Sequence, residues 1–169
     1  EEAAQAFGLG VWSHVYPYHD PDGQKVGMVL RWNRPAGKEI RPVSVTADGR
    51  WTCGAMPEPR PLYRLLDLLL ADGEVVVVEG ERCCDELQGL GIVAVCSSGG
   101  ALAAAKSDWS PLGGMDVVVC RDHDVNGLKY ETDVIEILRG LPAPPKSIRV
   151  VDPGMLDLGE AEDVADWEL

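Results

Sequence analysis

Two apolar runs that each end in acids constrain this chain more than any other feature. Val75-Val76-Val77-Val78 leads into Glu79-Gly80-Glu81, and Asp116-Val117-Val118-Val119-Cys120 leads into Arg121-Asp122-His123-Asp124-Val125-Asn126-Gly127. Consecutive β-branched residues lose side-chain freedom in a helix. Without polar alternation they suit a strand covered on both faces. Ile92-Val93-Ala94-Val95-Cys96 and Ser147-Ile148-Arg149-Val150-Val151 supply two further short runs, and the segments between predict helices over 83–90, 101–106 and 129–139. Such alternation predicts β-α-β units around a parallel sheet. In these sheets the working residues collect beyond the carboxyl ends of the strands, where strand order reverses. Glu79 and the pair Asp122 and Asp124 fall at that position.

The first third of the chain is patterned differently, in short alternating runs broken by turns. Asp20-Pro21-Asp22-Gly23 is a strong turn signal, and Asp48-Gly49 marks a second hairpin. A small antiparallel sheet of three or four strands is predicted, carrying the basic residues Lys25, Arg31, Arg34, Lys38 and Arg41. A proline-rich connection, Met56-Pro57-Glu58-Pro59-Arg60-Pro61, follows as a hinge and leads into a helix expected over 62–70, with Pro61 in its first turn. The fold expected is α/β: a small β-rich lobe over 1–60, then a lobe over 61–169 with a four-stranded parallel sheet flanked by helices.

Composition narrows the setting. The apolar runs are far too short to span a bilayer, and the start Glu1-Glu2 lacks the basic-then-apolar pattern of a secretory signal. Five cysteines in no Cys-x-x-Cys pair predict reduced thiols used as small core residues, hence a cytoplasmic protein without a membrane partner. A formal net charge of −13 is unusual for a chain that grips nucleic acid by itself. Ser97-Ser98-Gly99-Gly100 before an alanine-rich helix is open to two readings, a phosphate-holding helix start or a tight strand-to-helix turn.

An Asp-x-Asp on a strand would aim both carboxylates to one face, and like charges held close are costly unless a cation lies between them. With Glu-Gly-Glu after another parallel strand, hard oxygen donors gather at one edge, as a magnesium-dependent phosphoryl site requires. The order Glu-Gly, then Asp-x-Asp-x-x-Gly, resembles the Toprim domain of bacterial-type primases, topoisomerases and some nucleases. In detail, Val-Val-Val-Glu-Gly-Glu with Asp-His-Asp-Val-Asn-Gly is most similar to the phage and plasmid primase or primase–helicase branch. The residues from Tyr16 to Gly23 resemble the hairpin that opens the small lobe of the polymerase domain there. Pro61-Leu62-Tyr63 resembles the lead-in to its Toprim lobe, and the resemblance runs from about Tyr16 to Trp167.

The resemblance implies an enzyme making RNA primers from NTPs on a single-stranded DNA template with Mg²⁺ or Mn²⁺. It implies Glu79 as metal ligand or general acid/base, Asp122, Asp124 and Asp163 as further metal ligands, and Gly80 and Gly127 as turns. Arg31 and Arg41 fall about where the small lobe presents basic residues to nucleotide phosphates. A Toprim nuclease and a non-catalytic nucleic-acid or protein binding module are the alternatives. Cys83 stands where many primases carry an aspartate, and neither a zinc ribbon nor a P-loop is present. Zinc-ribbon and helicase modules are therefore expected elsewhere in a parent protein or in trans. The acidic tail, 159–167, is expected to fold over the strand ends.

Overall fold

The computed structural model describes residues 7–156, 159–160 and 162–166. The start of the lead-in (1–6) and, in the acidic tail, Ala161 and Trp167 lie outside the described residues.

The first lobe is a four-stranded antiparallel sheet in the order β1-β2-β3-β4: β1 His14–His19, β2 Lys25–Arg34, β3 Gly37–Val45 and β4 Trp51–Cys53. Asp20 sets the first turn by accepting the backbone N–H groups of Asp22 (3.1 Å) and Gln24 (2.8 Å) through Oδ1. One face of this sheet buries Leu30, Trp32 and Val43 against Phe7, Leu9 and Trp12, which gives part of the lead-in a packing role. The other face turns Tyr16, Tyr18 and Val29 toward the second lobe.

The second lobe has α1 Leu65–Leu69, β5 Glu74–Val77, α2 Glu81–Gly89, β6 Ala94–Val95, β7 Asp116–Cys120, α3 Val125–Arg139 and β8 Ser147–Val151. Its four strands are parallel throughout, in the order β6-β5-β7-β8. From β5 the chain moves outward to β6 and then crosses back to β7 on the other side. The β5/β7 boundary is thus the point where strand order reverses, and Val77 is in register with Val119 there. Val75, Val77, Val117 and Val119 pack on one face with Leu62, Trp109, Tyr130, Val134 and Leu138. Val78, Cys96 and Cys120 join Tyr16, Tyr18, Met56 and Tyr63 in a core shared by the two lobes. The valine runs lack polar alternation because both faces are covered.

Several local expectations change. The helix expected over 62–70 shortens to α1 because Tyr63 bridges to Cys96 and Arg64 is left-handed at φ 59, which leaves Pro61 outside it. Residues Ala101–Lys106 form a 3₁₀ helix instead of an α-helix. The helix expected from 129 begins at Val125, since the Asp124 side chain caps it. The connection expected to act as a hinge is pinned: Arg60 donates its backbone N–H to Lys106 O (2.8 Å), and its carbonyl accepts from Asp108 N (2.8 Å). Among the described residues, no helix is long and apolar enough to cross a membrane.

Candidate active site

The carboxyl ends of β5 and β7 open onto a cleft of about 400 Å³ between the two lobes. Glu79, Asp122 and Asp163 line it, together with Cys83 near the start of α2. Donor atoms of Cys83, Asp122 and Asp163 all lie within 4.8 Å of one another.

Each acid is held there by local structure. Val78, just past β5, has its carbonyl tied to the buried Tyr130 hydroxyl (3.0 Å), which fixes the chain where Glu79 leaves the sheet. The Asp122 loop is anchored by the half-buried Arg121–Glu131 ion pair (3.2 Å) and by Arg121 donating to the Asp122 carbonyl (3.0 Å). Gly127 is required beside it, because a Cβ there would run into the Asp122 carbonyl oxygen. Gly80 also lines the cleft, but it is extended at φ −130 and a Cβ there would meet nothing. The tail folds over the strand ends: His123 N donates to Glu162 O (2.9 Å), and Arg82 pairs with Asp166 (2.9 Å). That fold carries Asp163 to the site.

Asp122 and Asp124 do not share a strand face, because β7 stops at Cys120 and both lie in the following loop. Asp122 turns into the cleft. Asp124 instead accepts the Gly127 N–H at 2.6 Å and caps α3, outside the cleft lining but close enough for its charge to act on the other acids.

Charge and burial work in the same direction at these groups. Burial raises Glu79 to about 7, aided by the charges of Asp122 and Asp124, while Lys38 pulls the other way. Burial raises Asp122 to about 6, with Asp163 and Asp124 adding to it. Glu79 Oε2 is buried and has no hydrogen-bond partner. A carboxylate oxygen kept from water without a donor is costly unless a proton or cation reaches it. Asp122 and Asp163 beside the orphaned Glu79 oxygen offer hard donors of the kind that hold a divalent cation. The thiol of Cys83 is the departure from such a donor set.

A basic wall faces these acids. Arg31, Lys38 and the buried Arg60 line the same cleft. Arg31 lies opposite Ile40 across β2 and β3, so strand alternation puts Arg31, Lys38, Ile40 and Pro42 on the cleft face. Arg41 has the opposite parity; it pairs with Glu39 and donates to the Ile40 carbonyl (2.8 Å), and the structure does not bring it to the cleft. Sequence reasoning did not single out Lys38 or Arg60 for the site. The period-two spacing of Lys38 from Ile40 and Pro42 is the signal that would have found the first. Arg60 carries no such signal, since it sits in an irregular segment, donating to the carbonyls of Met56 (3.2 Å) and Ser98 (3.1 Å).

Neither a protein-family model nor a curated protein sequence matches the chain. Solved structures do. The primase fragment of the bacteriophage T7 primase-helicase aligns at TM-score 0.56 and 22% identity over 90% of this chain and 56% of its own. The fold is similar to that of this primase fragment. The zinc-binding and RNA polymerase domains of the Aquifex aeolicus primase align at TM-score 0.56 and 20% identity over 94% of this chain and 38% of theirs. A third match, at TM-score 0.53 and 24% identity over 90% of this chain and 74% of the other, comes from a T7 lagging-strand DNA polymerase complex. In that complex the primase domains of two gp4 subunits are bound to an RNA/DNA hybrid and dTTP. The chain thus spans little more than half of the T7 primase fragment and well under half of the Aquifex chain.

Proposed function

We propose that this chain is the catalytic domain of a primase or primase–helicase, joining NTPs into a short RNA on a single-stranded DNA template. The observation that carries the reading is the buried, unpartnered Glu79 Oε2 beside Asp122 and Asp163 at the point where strand order reverses. Supporting it, the primase-like fold covers both lobes, so the basic wall stands opposite the acids as a nucleotide cleft requires.

Glu79, Asp122 and Asp163 would hold magnesium or manganese, with Asp124 adding charge from the helix cap. A bound divalent ion supplies charge neutralisation at the triphosphate and lowers the cost of ionising the attacking hydroxyl. The chain's own groups do the rest. Glu79, raised to about 7 in the ion-free chain, would give up its proton as the ion binds. Arg31 and Lys38 give the triphosphate a cationic wall, and Arg60 adds to it from beside Glu58, its ion-pair partner at 3.6 Å. Arg82, tied to Asp166 and to the Ala165 carbonyl, keeps the tail closed so that Asp163 stays in place. The protein contributes mainly position and preorganised charge.

With a net charge of −13, the domain alone should bind DNA weakly and in a salt-sensitive way. Zinc-ribbon and helicase modules, in the parent protein or in trans, would supply template grip, and the setting would be the cytoplasm. The test is incubation with labelled NTPs, Mg²⁺ or Mn²⁺ and mixed single-stranded templates, alone and with a zinc-ribbon module in cis. Template-dependent oligoribonucleotides, absent with Glu79→Gln, are the expected result. Degraded template without synthesis would move the assignment to a nuclease. No reaction in either format would leave a binding module.

A further inference from the structure

We propose that Cys83 is a direct ligand in this metal centre and that the centre therefore ranks thiophilic transition ions above magnesium. The inference rests on the metal reading above and sharpens it to a class of ion.

Cys83 and its neighbour Cys84 show what distinguishes a ligand from a core thiol. Cys84 is 0% exposed and lies in the shared core with Cys96. Cys83 is 2% exposed and also backs onto that core, but its Sγ faces out of it, within 4.8 Å of carboxylate oxygens of both Asp122 and Asp163. Independently, Glu79 Oε2 is buried in the same cleft with no donor to satisfy it. Cys83, Asp122 and Asp163 thus bring one sulfur and two carboxylates to a single point.

The donor chemistry decides the rank. Magnesium takes oxygen ligands in strict octahedral geometry and sheds water reluctantly, so a thiol in its shell is a poor replacement for a carboxylate. Thiolate donors favour softer ions such as zinc and cadmium, and the general affinity order of divalent ions also lifts transition metals. On binding, the Cys83 thiol proton leaves to solvent and the sulfur bonds the ion, so uptake is proton-coupled.

The test uses cadmium as the probe on the intact chain, without NTP or nucleic acid, and follows the ultraviolet sulfur-to-cadmium charge-transfer band. The band should saturate at a single ion per chain and persist in Cys53→Ser and Cys120→Ala. It should disappear in Cys83→Ser, with cadmium affinity reduced by about tenfold or more. An excess of magnesium of about a hundredfold should leave the wild-type band in place. Cys83→Asp covers the case in which the serine variant folds poorly: it should lose the band and gain a magnesium-dependent rise in melting temperature. A wild-type chain without the band, a band unchanged in both Cys83 variants, or removal of the band by magnesium would overturn the inference. Primer synthesis is measured separately. Synthesis without the band sinks this inference alone, and the band without synthesis sinks only the primase reading.

Discussion

Glu79 and Glu81 lie one residue apart on either side of Gly80 and meet opposite fates. Glu81 accepts the hydroxyl of the fully buried Tyr18 at 2.7 Å, and one turn later Asp85 accepts Tyr63 OH and Arg64 Nε, both at 2.9 Å. Tyr18 comes from β1, so Glu81 fastens one lobe to the other, while Asp85 ties α2 to the segment before α1 within the second lobe. Glu79 Oε2 has no such partner, and its neighbours Asp122 and Asp163 are acids as well. The difference separates structure from function on one short segment. Acids with donors are stitching, and an acid without one is the proposed place for a cation.

The largest break in that comparison should come from Glu79→Gln. Catalysis should fall by about 10²- to 10⁴-fold, while the melting temperature without divalent ions should stay level or rise, since the change removes charge from a crowded acidic pocket. A substantial loss of stability would place Glu79 with the structural acids instead. Gly127→Ala should cost about 1–3 kcal/mol or more in urea unfolding, because the Asp122 backbone must move aside. It should weaken metal binding in the same step. Tyr18→Phe should cost about 1–3 kcal/mol by leaving Glu81 buried without its donor, and should leave metal affinity nearly unchanged. The smallest expected effect separates the two jobs of Asp124. Asp124→Asn keeps a good cap and lowers only the site's charge, whereas Asp124→Ala should cost about 1 kcal/mol of stability as well. Equal stability of the two variants would deny the capping role.

Much of this arrangement was legible in the sequence, because apolar runs bounded by acids specify both the buried strands and the residues just past them. The runs beginning at Val75 and Val117 gave the central strands, and Glu79 and Asp122 followed at their ends. The resemblance to Toprim primases matched the fold later found. What stayed hidden depended on contacts between distant segments. The face of β3 that meets the acids is chosen by the packing of Tyr16 and Tyr18 against Tyr63, so Lys38 and Arg41 could not be ranked beforehand. Asp124 left the expected strand face because β7 ends early and the cap captures its side chain. Arg64, with φ 59, shortened α1 against a leucine-rich pattern that favours helix. Cys83 belongs to the core as expected, and its approach to the distant Asp163 is what the sequence could not show.

The proposed metal site rests on Glu79, whose buried Oε2 has no donor, and on Asp122 beside it. Both carboxyls are raised in the folded chain, Glu79 from 4.5 to about 7 and Asp122 from 3.8 to about 6. Their contribution to stability is therefore fully present below about pH 4 and is lost as pH rises through 7. The decisive measurement is the melting temperature of the wild type and of Glu79→Gln/Asp122→Asn at pH 5 and pH 8, with and without manganese. The prediction is that manganese raises the wild-type value strongly at pH 8 and weakly at pH 5, and that the double variant shows neither the ion's effect nor the wild type's loss at high pH. An equal manganese effect in both proteins would contradict the claim.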